Sequence, residues 1–275
     1  MNKKKIKTIL VHAELILVSV IVLIPVFWIV MSSFNAGQSL STAGFLPKQL
    51  TLDNYRDLFL HTKFTYWFLN SLEVASLNAF CSVILIVLTS WIMSRFSFKG
   101  KKTGLLTLLV LSMFPCFLSM TAIYTLFVVL NLLNKPIALV LIYAAGAIPY
   151  NVWLVKGYID GIPKSLDEAA YIDGSSKMNT FLKIILPMSK PIIVYCAVSQ
   201  FMLPWMDYII PNLLLTGDKN KTVAVGLYSM ISLDQNANFT AFAAGAVLIA
   251  VPITILYLIF QKFLVEGISA GASKE

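Results

Sequence analysis

A series of apolar stretches, each about as long as a bilayer is thick, is the feature that most constrains this chain. The first, residues 15–31, contains no charged side chain. In a helix, about 20 apolar residues cross the hydrocarbon core. Five more such stretches follow, at about residues 72–93, within 105–130, and at about 137–155, 191–215 and 241–263. Only 12% of the residues are charged, about half the share of a soluble domain. We therefore predict an all-α integral membrane protein with six transmembrane helices.

The basic residues predict the orientation of these spans, because Lys and Arg accumulate in cytoplasmic loops. With both termini inside, fifteen of the 21 basic residues are cytoplasmic: Lys3, Lys4, Lys5, Lys7, Arg95, Lys99, Lys101, Lys102, Lys156, Lys164, Lys177, Lys183, Lys190, Lys262 and Lys274. The other six are external: Lys48, Arg56, Lys63, Lys135, Lys219 and Lys221. The bias predicts an N-in/C-in topology, with the polar loop between spans 4 and 5 in the cytoplasm.

That loop contains a polar stretch, residues 165–191, which predicts two short helices. Ser165 and Glu168 have the spacing of a capping box at the start of the first helix. Gly174 stands where a helix ends in a left-handed residue, for which a positive φ is expected. Ala169 and Ala170 keep one surface of this helix flat, so that another protein could approach closely.

The second helix is predicted to begin at Ser175 or Ser176 and to be stopped by Pro187. Four apolar residues have the spacing of one helical face: Met178, Phe181, Leu182 and Ile185. Pro191 then opens the fifth apolar stretch.

Within this stretch, Glu168-Ala169-Ala170, Gly174, Ile184 and Leu186-Pro187 resemble the EAA motif of ABC importer permeases, spacing included. The resemblance implies that the loop is cytoplasmic and docks into a groove of the ATP-hydrolysing subunit. It assigns nine docking residues: Glu168, Ala169, Ala170, Asp173, Gly174, Phe181, Ile184, Leu186 and Pro187. The alternative is a solvated helix pair without a partner.

The C-terminal half is also similar to the second permease of maltose/maltodextrin-type carbohydrate importers, at residues 222–227, 241–247 and 261–274. The resemblance implies that the tail, through Gly267, Gly271 and Lys274, reaches between two ATPase subunits. It also implies that residues 216–239 probe an extracellular sugar-binding protein. Glu275 departs from the Gly that relatives often have there, and a frayed terminus is the alternative for the tail.

Polar residues within the apolar stretches point to function or to helix pairing. Asp207 lies between two prolines, flanked by Trp205 and Tyr208. Aromatic faces and a carboxylate suit a sugar, so these three residues are a candidate substrate path. An interfacial aromatic belt, with Asp207 in water, is an equal alternative. Asn78 and Gln200 are expected to join helices by hydrogen bonds.

No residue pattern predicts an enzyme. The chain lacks a phosphate-binding Gly-x-x-x-x-Gly-Lys motif and paired catalytic carboxylates, and His12 and His61 have no neighbours with metal-ligand spacing. We expect no cofactor, no metal and no nucleic acid.

Together these patterns predict a single permease domain over residues 1–275, with a cytoplasmic coupling loop at residues 156–190. Its expected location is the cell membrane, as part of an oligosaccharide importer, with malto-oligosaccharides favoured by the resemblance. The expected partners are a second homologous permease, two ATP-binding subunits, an extracellular solute-binding protein and the lipid bilayer. An ion-gradient-driven secondary transporter and a membrane anchor or assembly subunit without a transport path are the alternatives.

Overall fold

The computed structural model describes residues 3–37, 46–47, 49–232 and 238–272, and these ranges form helices and no β-strand. In chain order the α-helices are α1 (Lys3–Ser33), α2 (Asp53–His61), α3 (Phe64–Arg95), α4 (Lys101–Ser112), α5 (Met120–Val129), α6 (Leu139–Asp160), α7 (Lys164–Ile172), α8 (Lys177–Thr180), α9 (Leu186–Met188), α10 (Lys190–Met206), α11 (Ile209–Leu214), α12 (Val223–Ser229) and α13 (Phe239–Ala272). The all-α prediction is confirmed.

Within the described residues, four helices are long and apolar enough to cross a membrane. They are Lys7–Ser33, Phe64–Arg95, Pro136–Asp160 and Phe239–Val265. A fifth candidate joins Lys177–Met188 to Lys190–Met206, which are bent by 76° relative to each other. Length and composition of the helices therefore support four or five spans, whereas six were predicted.

The predicted third span, within residues 105–130, is not one continuous helix. It consists of α4 and α5, separated by a turn and the short 3₁₀ helix Cys116–Ser119. Pro115 explains the break, because proline lacks an N–H group and disfavours helical backbone in the residue before it.

The predicted fifth span, residues 191–215, is interrupted at one of its three expected positions. Pro204 lies within α10 and Pro211 within α11, whereas the backbone leaves the helix at Asp207, with φ −77° and ψ 121°. The interruption at Asp207 is confirmed, and the two prolines are accommodated by the flanking helices.

The contacts divide the chain into two compact units, of which the first contains Met1–Thr65 and Gly226–Pro252. Its centre is a buried polar network around Asn54. The Asn54 side-chain amide donates to the Ser33 and Asn35 carbonyls, both at 2.9 Å, and its oxygen lies 3.0 Å from Thr240 Oγ1. These bonds fasten α2 to the end of α1 and to the start of α13.

The second unit contains Tyr66–Val225 and Ile253–Glu275. It has two apolar clusters, one around Trp91, Val155 and Ile159 and the other around Val74, Leu139 and Leu214. The first cluster lies where α3 and α6 end and α10 begins, and residues 181 and 185 of the polar stretch belong to it.

Candidate functional site

The polar stretch begins with α7, whose first turn differs from the prediction. The helix starts at Lys164 after Pro163, and no side chain caps it. The predicted capping box of Ser165 and Glu168 is therefore wrong. Pro163 explains the difference, because the chain turns into the helix at this residue and Ser165 already lies in the first turn.

The end of α7 follows the prediction closely. Gly174 has φ +83°. Its N–H donates to the Tyr171 carbonyl at 3.0 Å, and the Ser175 N–H donates to the Ala170 carbonyl at 2.9 Å. This pair of bonds is a Schellman motif, which requires a left-handed residue at the glycine position.

The second helix begins as predicted and ends later than predicted. Ser176 Oγ accepts from the Asn179 N–H at 3.3 Å and caps α8. A π-helical turn, Phe181–Ile185, follows and leads into α9, so Pro187 lies within the helical segment and does not stop it. A π-turn widens the helix, which makes room for a proline ring that clashes with the carbonyl four residues earlier in a regular helix.

The four apolar residues of this segment divide into two pairs, and the predicted single face is wrong. Phe181 and Ile185 are 4% and 1% exposed, whereas Met178 and Leu182 are 51% and 50% exposed. The Phe181 ring stacks on Trp91 with 4.3 Å between ring centroids. The buried pair holds the segment against the core, and the exposed pair remains available for contact.

The nine expected docking residues divide in the same way. Phe181 is buried, and Ala170, Ile184 and Leu186 are partly buried. The exposed members are Glu168, Ala169, Asp173, Gly174 and Pro187. Ile172, which the sequence prediction omitted, is 87% exposed in the last turn of α7.

An ion pair that the sequence analysis missed attaches α7 to the end of α3. Arg95 Nε lies 2.6 Å from Asp167 Oδ2, and Arg95 Nη2 donates to the Ile162 carbonyl at 2.9 Å. Burial, with the Asp167 carboxylate second, raises the pKa of Tyr171 on the same helix. The sequence placed Arg95 only as a basic residue after a span, because no local rule pairs residues so far apart.

A cavity of about 960 Å³ lies among α5, α6, α10 and α11 in the second unit. Its wall is mostly apolar, with polar groups spaced along α6 and α10. Those polar residues include Tyr143, Asn151, Tyr195, Ser199, Gln200 and Asp207.

Of the three candidate substrate residues, Asp207 lines this cavity and the other two do not. Asp207 lines it, and its Oδ2 accepts from the Tyr143 hydroxyl at 2.8 Å. The Asp207 Oδ1 accepts from the Ile209 N–H at 2.9 Å, at the start of α11. Trp205 and Tyr208 are not among the lining residues, and the Trp205 ring is buried against Phe68, 5.2 Å away.

The expected pairing of helices by Asn78 and Gln200 is confirmed. The Asn78 amide donates to the Gln200 carbonyl at 2.7 Å, and the Ser82 hydroxyl donates to Asn78 Oδ1 at 2.9 Å. The three residues are buried or nearly so and join α3 to α10.

The loop expected to probe a binding protein begins with an anchored segment. The Trp67 indole donates to the Asp218 carbonyl at 2.6 Å, Asn70 donates to the Lys219 carbonyl at 2.8 Å, and the Val223 N–H donates to Ser71. Residues 233–237 of this loop lie outside the described residues.

The tail extends α13. Gly267 and Gly271 are part of this helix, and Lys274 lies outside the described residues. Phe263, just before the tail, has Lys190 Nζ 5.7 Å from its ring centroid, which links α13 to the start of α10. Among the described residues, no group of three or more His, Cys, Asp or Glu side chains could hold a metal ion.

The chain is similar to a protein family, two curated relatives and a solved structure. Residues 83–270 match the family described as binding-protein-dependent transport system inner membrane component. The galactooligosaccharides transport system permease protein GanQ of Bacillus subtilis is 35% identical over 275 residues, covering 99% of this chain and 97% of that protein. The maltodextrin transport system permease protein MalD of Streptococcus pneumoniae is 36% identical over 272 residues, with 99% and 97% covered. In structure, the chain resembles one from a bacterial ABC transporter involved in the import of the polysaccharide alginate, with a TM-score of 0.81, 21% identity, and 95% and 98% covered.

Proposed function

Because the chain belongs to the family of binding-protein-dependent transport system inner membrane components, we propose that it is a permease subunit of an ATP-driven oligosaccharide importer. It forms part of the translocation path and couples that path to ATP hydrolysis by a partner subunit. It has no enzymatic activity of its own. Its location is the cell membrane, which it crosses several times.

The geometry of the polar stretch carries this proposal. The buried side, around Phe181, holds the stretch against the core, and the opposite side presents Glu168, Ala169 and Ile172 to solvent. A segment that is packed against the core on one side and exposes apolar side chains on another is suited to bind another protein. We assign that contact to an ATP-binding subunit, through the nine docking residues named from the EAA motif.

The complete complex contains this chain, a second homologous permease, two ATP-binding subunits and an extracellular solute-binding protein. The chain is one permease domain over residues 1–275, with six spans, both termini in the cytoplasm, and the coupling loop at residues 156–190. The two helices α4 and α5 together count as the third span, which Pro115 interrupts. The tail, with Gly267, Gly271 and Lys274, reaches the ATP-binding subunits.

The substrate is an oligosaccharide, with malto-oligosaccharides favoured. Besides MalD, the relatives MdxG of Bacillus subtilis and MalG of Thermococcus litoralis, Vibrio parahaemolyticus and Escherichia coli carry maltose or maltodextrin in their names. The cavity beside Asp207 suits such a ligand, because its lining includes hydroxyl, amide and carboxylate groups as well as the rings of Tyr143 and Tyr195. We place the substrate path here, along Asp207, with Trp205 and Tyr208 beside it in the chain.

Uptake by cells tests the function directly. In a strain that lacks this gene, uptake of labelled maltotetraose is expected to fall to background and to return when the gene is restored. Labelled galactotetraose in the same assay distinguishes the two sugar classes, and glucose uptake is the control that should not change. Unchanged uptake of both tetrasaccharides in the deletion strain would contradict the proposed function.

A further inference from the structure

The ion pair between α3 and α7 is unusual for its burial. The Arg95 and Asp167 side chains are only 6% and 8% exposed, and Nε and Oδ2 are 2.6 Å apart. Arg95 lies in the last turn of a membrane-spanning helix, and Asp167 lies in the first turn of the helix that carries the EAA residues. The pair thus connects a span directly to the docking surface.

The same guanidinium also holds the chain that leads into α7. Its Nη2 donates to the Ile162 carbonyl at 2.9 Å. The Nε contact with Asp167 is an ion pair without hydrogen-bond geometry, so the guanidinium holds the entry to α7 by a hydrogen bond and its first turn by charge. A lysine ammonium lacks the planar group that reaches both at once. Arg95 therefore fixes both the entry to α7 and its first turn relative to the end of α3.

Ser94, the residue before Arg95, links the end of α3 to α6 as well. The Ser94 hydroxyl donates to Asp160 Oδ1 at 2.6 Å, and the other oxygen of Asp160 pairs with Lys156 on the same helix, also at 2.6 Å. The Lys156–Asp160 pair lies within α6 and does not reach α7. A comparison outside the coupling loop is the contact between Asp57 and His61 within α2, at 3.2 Å.

Stability alone is a weak reason for a buried ion pair, because desolvation of the two charges offsets much of their attraction. Such a pair instead fixes the orientation of the two helices that it joins. The apolar contact of Phe181 with Trp91 already attaches the second half of the loop to the core. The ion pair adds a fixed orientation of α7 against α3, where apolar packing is less directional.

We propose that the Arg95–Asp167 pair is a positioning link that makes α7 and α3 move together, so that displacement of the docked helix is transmitted to the span. The inference rests on the proposed function, in which α7 contacts an ATP-binding subunit. Neither residue touches the sugar. Their effect is on the amount of transport obtained for each ATP hydrolysed.

The test uses the complete complex in proteoliposomes and measures sugar molecules transported per ATP hydrolysed. Arg95→Leu and Asp167→Asn are expected to lower this ratio by about fivefold or more, the lower range of coupling between linked sites. Arg95→Lys keeps the charge but not the double contact and is expected to lower the ratio by only about twofold. Asp57→Asn, which breaks the contact with His61 within α2 and lies outside the coupling loop, is expected to keep the ratio of the unaltered complex.

If Arg95→Leu and Asp167→Asn keep the ratio of the unaltered complex, the link is overturned, and an equal loss in Asp57→Asn overturns it as well. If neither neutral variant is recovered in the membrane, Arg95→Lys decides: a lowered ratio supports the link and the parent ratio overturns it. The unaltered complex distinguishes failure of the proposed function from failure of the link between α3 and α7. If it does not transport sugar with ATP, the proposed function fails, whatever the variants do.

Discussion

At the scale of single residues, Asp207 has two roles that its position in the sequence hid. One carboxylate oxygen accepts the Ile209 N–H and begins α11, and the other accepts the Tyr143 hydroxyl from α6. The residue thus stabilises the interruption of the predicted fifth span and joins it to the cavity wall. An acidic side chain in such a place is a functional residue by default.

Removal of the Tyr143 hydroxyl tests whether this pair matters to transport. Tyr143→Phe leaves one oxygen of Asp207 without its partner, at a cost of about 1–3 kcal/mol, and Asp207→Asn removes the charge. We expect both variants to lower oligosaccharide uptake while the complex still assembles, as measured by uptake and by copurification of the subunits.

Tyr124→Phe is the matched control, because Tyr124 is an exposed tyrosine of α5 that does not line the cavity. Its uptake should equal that of the parent. Parent-level uptake in Tyr143→Phe and Asp207→Asn would leave Asp207 with a structural role at the start of α11.

At the scale of elements, the sequence predicted those helix ends that depend on residues close together in the chain. Gly174 was predicted with a positive φ because the left-handed end of a helix is a local preference. Ser165 was predicted as a cap because its spacing to Glu168 fits, yet Pro163 starts the helix earlier. Capping signals compete locally, and the stronger one is not evident from the motif alone.

The division of the second helix could not be predicted in this way. Met178, Phe181, Leu182 and Ile185 all fit one helical face, and Trp91 and the π-turn decide which of them are buried. Both depend on residues outside the helical pattern. Tertiary contacts therefore select the buried pair from four equivalent candidates.

Two adjacent substitutions test this division. Phe181→Ala removes a buried ring and should destabilise the permease by about 3–5 kcal/mol. Leu182→Ala removes a half-exposed side chain and should leave its thermal stability close to that of the parent while weakening association with the ATP-binding subunit. Thermal unfolding in detergent and subunit copurification measure the two effects. Equal destabilisation by both substitutions would show that the two residues are not divided into a buried and an exposed side.

At the scale of the whole molecule, composition and apolar length predicted the class of protein and the approximate positions of the four helices, among the described residues, that are long enough to cross a membrane. The contacts that join the helices were harder to predict from the sequence. Polarity alone indicated that Asn78 and Gln200 pair with other helices, but not with which. The Arg95–Asp167 pair and the cavity required the fold, because their residues come from distant parts of the chain.

The orientation of the spans has its own test, which follows from the excess of Lys and Arg in the predicted inner loops. A reporter fused after Gly174 should indicate the cytoplasm, and a reporter within residues 216–239 should indicate the outside. A fusion after Gly100, also in a predicted inner loop, should agree with the first. The opposite pattern would reverse the topology and remove the coupling loop from the side where ATP is hydrolysed.

The central claim is that the polar stretch couples ATP hydrolysis to transport, and Gly174 is the residue whose substitution tests it most specifically. A side chain with Cβ disfavours the left-handed conformation by about 1–2 kcal/mol, and no atom lies close to the Cβ position at Gly174. Gly174→Val therefore acts on the backbone between α7 and α8, not on packing. Gly100→Val is the matched control, because Gly100 has φ +88° and equally open surroundings but lies outside the loop.

The measurement is ATP hydrolysis by the purified complex, with and without sugar-loaded binding protein. We expect Gly174→Val to lose the ATP-binding subunits, or to keep them and lose stimulation by the binding protein. We expect Gly100→Val to keep both association and stimulation. Parent-level association and stimulated hydrolysis in Gly174→Val would contradict the assignment of this stretch as the coupling element.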